Sequence, residues 1–522
     1  MKLIKKIAAV VLGAILVGGA LTGCGSEKAP SSENLNFGCI NYSDSLDPSA
    51  MINASWCVTR FGIGECLFKF DDDMSAQNNL CDKYTVDDSK TTWTFHIREG
   101  VKFSNGKELT PCAVQASIQY MYDQEAGAQG NSTPSMYMDM ESIKGDDNTG
   151  NVTIVTKKPI TDLCSVLAHP YFSILDVKSG ENMGENPIGT GPYAIEKYDT
   201  GVSLGMKANE NYWNGEVPYK TVNIIFISDS TTKAMALENG DVDVVENITT
   251  PGDLQKLKKN EDYKIAEAVG IRCGFSYMNQ KGVLGNEDLR KAILMALDDK
   301  TMCDVTVGGM YTAGYSVLPS ALDYGYKNLT DATPYNVKEA KSILDKANIV
   351  DGDGDGYREL NGKNINLSYL TYDSRNLIDF TEAVVSYLDK IGIKATIKTT
   401  DADTEWNMLT SGEYDLLANN WMTVPVGDPY SYLDNWYSKS KANYCGYANN
   451  EYDTLYEELA NETESDARSG IIEKLQQILI NDAAVLVHGY YHSNMCSDKN
   501  IEGASIPTAD YYWLTTNIKP AK

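Results

Sequence analysis

Histidine is scarce in this sequence, with four residues in 522. That count excludes a histidine-rich metal scavenger. His96 and His169 are isolated, and His488 and His492 fall four apart in VLVHGYYH, a run of strand-like composition. On a strand that spacing keeps two side chains on one face but about 13 Å apart, too far for a shared metal. Cations are also short: 45 Lys and Arg against 72 Asp and Glu, a formal charge of −27. Nucleic acid demands a basic face, so it is excluded as a partner. Cys-x-x-Cys pairs are absent. Of 11 cysteines, all but Cys24 are irregularly spaced in a chain too long to need a disulfide framework, and they are expected to be free, buried thiols. No solenoid-type repeat is present.

What is present begins with the first 23 residues. Lys2, Lys5 and Lys6 precede an apolar stretch over 7–20 that is short for a membrane span and ends in small residues. Leu21-Thr22-Gly23-Cys24 resembles a lipoprotein signal, which implies cleavage before Cys24 and acylation of its thiol. Two acyl chains hold a protein on a membrane durably. Residues 24–33 then read as a flexible tether. Losing the three lysines makes the formal charge of −27 three units more negative. The remaining chain is too long for one core, so two or three lobes are expected.

The densest information lies between 187 and 245. Gly189-Thr190-Gly191-Pro192 predicts a tight turn. Strands follow through Tyr193 and Ile195, then Val202, Leu204 and Met206, then Val222, Ile224 and Phe226, the last largely buried on both faces. Ser230 or Thr231 is placed to cap a helix carrying Ala234, Met235 and Leu237 and closing at Asn239-Gly240. Elsewhere, Trp93, Phe95 and Ile97 alternate as a half-buried strand. Thr110 and Pro111 open a helix with Val114, Ile118, Met121 and Tyr122 on its apolar face, and Asn336 caps another with Glu339 at the capping-box position. Further helices are read around 289–297, 381–391 and 471–479, and strands over 393–397 and 483–487. Strands alternating with helices favour an α/β fold.

P-I-G-T-G-P-Y, then Asn209, Tyr212 and Trp213, then D-S-T-T-K-A-x-A-L-x-x-G-D-V-D, in that order and spacing, resemble the family 5 extracellular solute-binding proteins, the oligopeptide, dipeptide and nickel receptors of ABC importers. W-T-F-H-I-R-E-G-V-K-F-S-N-G after Thr92 and the D-S-L-D-P turn ending at Pro48 add to the likeness, which covers nearly all of the mature chain. The resemblance implies a two-lobe, periplasmic-binding-protein-like fold (type II, large three-subdomain form) with a hinged cleft. One lobe would comprise 34–52, 185–269 and 492–522, with 53–184 as an added subdomain, and the other 270–491. It implies a monomeric receptor without catalysis or cofactor, delivering ligand to two permease subunits and their two ATPases.

By motif position, Arg272, Tyr372, Arg375, Trp421 and Asp428 are the candidate ligand-binding residues, because α/β proteins bind ligands at the carboxyl ends of strands. The 33 tyrosines against 10 phenylalanines fit a wet cleft with aromatic walls. Peptide is ranked first as ligand and a nickel chelate second. The peptide receptors this chain resembles place an aspartate, partner of the ligand's ammonium, three residues after the tryptophan. That position here is Val424, so Asp428 would have to take the role or the ligand lacks a free amine there. Arg272 or Arg375 would then hold a chelator's carboxylates. Two other classes are weighed. Gly201-Val202-Ser203-Leu204-Gly205 formally matches a nucleophile elbow, but a strand follows Ser203 where the elbow needs a helix. A structural adhesin is the third class. Asp351, Asp353, Asp355 and Gly356 start a calcium-type loop, yet its twelfth position is Gly362 rather than glutamate, so a solvated acidic turn is expected.

Overall fold

The computed structural model describes residues 33–128 and 133–522; the signal and nearly all of the tether lie outside them. The architecture is α/β, organised on an eleven-stranded mixed sheet. From one edge the strands run Lys394–Thr400, Asn366–Tyr372, Leu416–Met422, Tyr263–Met278, Val485–Asp498, Val244–Glu246, Asn34–Cys39, Thr221–Phe226, Ser203–Ala208 and Tyr193–Asp199. A two-residue strand, Tyr311–Thr312, pairs with Val485–Asp498 off this path. The sheet is therefore continuous through its two longest strands, which lie side by side.

Those two, Tyr263–Met278 and Val485–Asp498, pair antiparallel along their length, with register shifts between Val269 and Cys273 and between Gly274 and Phe275. At the first shift three residues, 270–272, stand opposite Tyr491; at the second, His488 is the extra residue. Bulges of this kind locally raise strand twist and re-aim side chains, and the first presents Arg272. Val485–Asp498 extends well beyond the strand read from sequence, 483–487. Nearly all of Val485–Asp498 and the carboxyl half of Tyr263–Met278 are buried on both faces, so the alternation that would mark a strand is absent there.

Local chemistry sets most element starts. Thr110 accepts a hydrogen bond from Ala113 N–H with Pro111 in the first helical turn, and Asn336 accepts one from Glu339 N–H, as expected. The helix Ser230–Asn239 is capped by Asp229, not Ser230 or Thr231. Its Met235 is 54 % exposed while Lys233 is 2 % exposed: the helix turns a lysine inward because Glu246 waits there, with Nζ 3.0 Å from Oε1. Thr221–Phe226 is one-sided rather than doubly buried, since Asn223 is exposed. The helix expected at 381–391 starts earlier and spans Leu377–Lys390.

A separate antiparallel sheet, Cys81–Val86, Thr92–Ile97, Asn151–Thr156 and Met140–Asp146 in that spatial order, packs with the helix Pro111–Gln124. Its core includes Phe68, Phe95, Ile154 and Leu163. Into this same core reach Met422, Val424 and Val426, more than 250 residues on in sequence from Leu163. Their loop is fixed by Tyr511 Oη donating to Pro425 O at 2.9 Å and Tyr324 Oη donating to Gly427 O at 2.7 Å. Burial of the two valines contributes about 3 kcal/mol.

Glu65 joins this subdomain to the 187–245 unit. Its carboxylate accepts from Trp213 Nε1 and Thr190 Oγ1, both at 2.9 Å, and from Tyr212 Oη at 3.4 Å. Burial pushes the carboxyl up to about 7 against the pull of these donors. A folded-state pKa above the unfolded value of about 4.3 favours folding fully below pH 4.3, and that contribution is lost as pH rises through 7. Relative to Glu65→Gln, the wild type should therefore lose about 2–3 kcal/mol between pH 4.5 and pH 8. Urea melts of both proteins across that range measure it, and a pH-independent difference would refute it.

Candidate ligand site at the lobe crossing

The site begins with a charge set into an apolar run. Arg60 ends the helix Ile52–Arg60 and is fully buried. It donates from Nε to Asp510 O and from Nη2 to Asp510 Oδ2, both at 2.8 Å. Its guanidinium lies 4.4 Å from the Trp513 ring centre and 4.7 Å from that of Tyr42, contacts that help a desolvated cation. Asp510 takes a left-handed φ of 57° and also accepts from Trp513 Nε1 at 2.8 Å.

Arg272 comes in from the first bulge. Its Nε is 4.0 Å from Asp510 Oδ2, beyond hydrogen-bond reach, and its Nη1 is 3.5 Å from Asn420 O. Burial, and then the charge of Arg375, pull this guanidinium down to about 10. Arg375 follows the carboxyl end of Asn366–Tyr372. It and Asn376 are consecutive non-glycine residues at positive φ, 45° and 58°. Such strain costs of order 1–3 kcal/mol per residue and is held by surrounding contacts. Here Tyr311 Oη donates to Arg375 O at 2.6 Å, and Asn376 Nδ2 donates to Thr249 O at 3.0 Å.

Burial pushes the Tyr372 hydroxyl up to about 12, with the charge of Glu405 adding to the rise and those of Arg375 and Arg272 opposing it. Its hydroxyl donates to Asn419 Oδ1 at 3.2 Å, and Asn419 Nδ2 donates to Glu405 Oε1 at 3.1 Å. Burial lifts Glu405 to about 7. Arg272, Tyr372 and Arg375 are thus brought together. Trp421 is not: paired with Cys273, it stands on the other sheet face from Arg272 and packs edge-on to Tyr277. Asp428 is also elsewhere. Its Oδ2 is 2.6 Å from Arg468 Nη2, and its Oδ1 accepts from Tyr430 N–H. Val424, at the position where the resemblance puts an aspartate, is 1 % exposed in apolar surroundings.

Sequence reasoning missed Tyr42, Arg60, Glu405 and Asp510. A signal existed for two of them: Arg60 is the lone charge in SWCVTRFGIG and Asp510 the lone charge in PTADYYW, and a charge in such a run is ordinarily paired inside.

The remaining motifs are accounted for locally. His488 is buried and neutral, pulled down to about 3 by burial, with Nε2 2.9 Å from Ser276 Oγ. His492 meets Thr312 Oγ1 instead. Ser203 opens the strand Ser203–Ala208, with no helix behind it. Asp351, Asp353 and Glu359 bring carboxylate oxygens within 4.8 Å of one another, but Asp351 already accepts from Gly354 and Gly356 N–H. Every described cysteine is a free thiol, and all but Cys112 are buried.

Comparison with known proteins fits this geometry. The family described as bacterial extracellular solute-binding proteins, family 5 Middle, matches residues 75–444. The probable D,D-dipeptide-binding periplasmic protein DdpA of Escherichia coli K12 is 24 % identical over 478 residues, 88 % of either chain. NikA of Staphylococcus aureus, solved with Ni(L-His)2, superposes with a TM-score of 0.78 at 20 % identity, over 94 % of this chain and 100 % of that one. AppA of Bacillus subtilis, solved with a nonapeptide, gives 0.76 at 21 % identity, over 94 % and 99 %. With its fold, its crossing strands and the family match over most of its length, the chain belongs to the family 5 extracellular solute-binding proteins.

Proposed function

We propose that this chain is the lipid-anchored, extracytoplasmic receptor of an ABC importer, and that it captures a peptide between its lobes for delivery to the permease. The observation that carries the reading is the convergence of Arg272, Tyr372 and Arg375 beside the strand pair that joins the lobes. Ligand held there contacts both halves, so binding and hinge closure are one equilibrium. DdpA and AppA are peptide binders by name, which supports peptide as the first choice. A nickel chelate is the second reading. Its favouring observations are the engagement of Asp428 by Arg468 and the apolar setting of Val424, which leave a peptide's ammonium without a free carboxylate at either position. NikA with Ni(L-His)2 is its counterpart among the relatives.

Calorimetry separates the two readings. Heat is expected with a di- to hexapeptide library; heat with nickel and histidine alone would transfer the assignment to the chelate, and heat with neither would end both. The anchor has its own test. Cys24→Ala should abolish incorporation of labelled fatty acid, and unchanged labelling would remove the lipoprotein assignment.

A further inference from the structure

We infer that the molecule carries a second ligand site, a polar cavity that takes a saccharide, at the amino ends of two sheet strands. It is separate from the site at the crossing strands and does not depend on the receptor reading.

The cavity measures about 770 Å³ and lies where the strands Asn366–Tyr372 and Leu416–Met422 begin. These strands are parallel neighbours, so both start at this end and carry Tyr372 and Met422 to the other. Six steps of about 3.3 Å put roughly 20 Å between Asn366 and Tyr372. The volume falls within the range of about 300–1,000 Å³ usual for small-molecule sites.

Four polar side chains of its wall are each tied to the protein through one atom and keep another free. Asp415 accepts from Ser368 N–H at Oδ2, 2.8 Å, and keeps Oδ1. Asn286 caps the helix Glu287–Met295, accepting from Leu289 N–H at Oδ1, 2.9 Å, and keeps Nδ2. Asn366 accepts from Thr396 Oγ1 at Oδ1, 3.0 Å, and likewise keeps Nδ2. Asn364 donates from Nδ2 to Asp355 Oδ2 at 2.8 Å and keeps Oδ1. The four remaining atoms have no partner among the described residues. Gly282 stands over Asp415: even a Cβ there would lie 3.6 Å from Oδ1, so no side chain covers that oxygen from this direction.

The wall thus presents two donors and two acceptors on side chains whose rotation is already fixed. A hydroxyl both donates and accepts, so neighbouring hydroxyls on one ring satisfy such a mixture. A simple anion or cation would match half of it and leave the other half without partners. Charge does not select the guest either, because the charged lining residues among those described, Lys363 and Asp415, are of opposite sign. Val283, Ala347 and Leu360 add apolar surface for the C–H face of a pyranose. Asn364 and Asn366 are exposed, so this side of the cavity admits the end of a glycan chain as well as a free sugar.

Calorimetry on the full chain tests this with glucose, N-acetylglucosamine and the linear trimer of N-acetylglucosamine, and with glycine as a zwitterionic control. Saturable heat is expected with at least one saccharide. A trimer that binds about tenfold tighter than its monomer identifies a glycan chain as the source, and equal affinity identifies a free sugar; both results support the site. Asp415→Asn and Asn366→Ala should each weaken the binding on the order of tenfold. Asn366 is exposed at the start of its strand, so its variant serves if Asp415→Asn does not fold. Heat with glycine alone, or with none of the four probes, overturns the inference. Saccharide binding that ignores both substitutions also overturns it, and all of these results leave the receptor reading standing.

Discussion

Gly189→Ala should yield no stably folded protein. A Cβ at this position would stand 2.1 Å from Ile63 O and 2.8 Å from Gly64 Cα, and one at Gly191 would stand 2.3 Å from Gly62 O. These obstacles are main chain, not side-chain ends that swing aside. The 187–192 turn lies with its backbone on the backbone of 62–64, held by Gly191 N–H to Ile63 O and Tyr193 N–H to Gly62 O, both at 3.0 Å. A methyl group there must separate the two segments, at a cost of about 4 kcal/mol or more. Gly252→Ala is the control. It lies in the helix Pro251–Lys258 with nothing within 4 Å of its would-be Cβ, so it should gain about 0.5–1 kcal/mol from helix propensity. Denaturant melts compare the two, and a Gly189→Ala protein as stable as wild type would show that the turn has room to move.

Asp510→Ala should be nearly as damaging. It strips Arg60, fully buried, of its one carboxylate. It also removes the acceptor of Trp513 Nε1. Removing one member of a buried pair costs about 3–5 kcal/mol, much of it the uncompensated charge left behind. Arg60→Met should cost less when Asp510 is already asparagine than when Asp510 is intact. A double-mutant cycle by urea unfolding reads this coupling, expected at about 2 kcal/mol; strictly additive losses would mean the pair is not acting as one. Ligand binding gives an independent readout, because Asp510 also faces Arg272.

Local chemistry was the legible part of this molecule. Thr110, Pro111 and Asn336 act within three residues of their own positions, and Trp93, Phe95 and Ile97 needed only the period of a strand. The ordered motifs between 187 and 245 carried the family, and with it the fold. Arg272, Tyr372 and Arg375 were read as ligand contacts from strand ends and the lobe crossing, and the fold sets their charges near one another. Trp421 was read into the site from position alone, and strand pairing turned its side chain to the opposite face. Asp428 was drawn toward the ligand as the nearest spare acid, but Arg468, forty residues on, had already taken it. Met235 was read onto the apolar face of its helix, but Lys233 takes the inward place because its partner Glu246 lies beyond the helix, in the next strand. Each miss is a partner that lies outside the window in which sequence patterns operate.

The bond between Arg60 and Asp510 spans 450 positions, and that distance governs the order in which the protein is made. Residues 278–491 supply much of one core, joined from just upstream by Val245, Leu254 and Leu257. The opposite half needs the strand Asn34–Cys39, the parallel neighbours Thr221–Phe226 and Val244–Glu246, and Tyr511 and Trp513 from the end of the chain. Its core stays open until the last residues have emerged. Contacts so distant in sequence form slowly, because the loop between them must close first. Until residue 510 is present the helix Ile52–Arg60 holds a cation without its carboxylate, so the first half has no stable end state before the chain is complete.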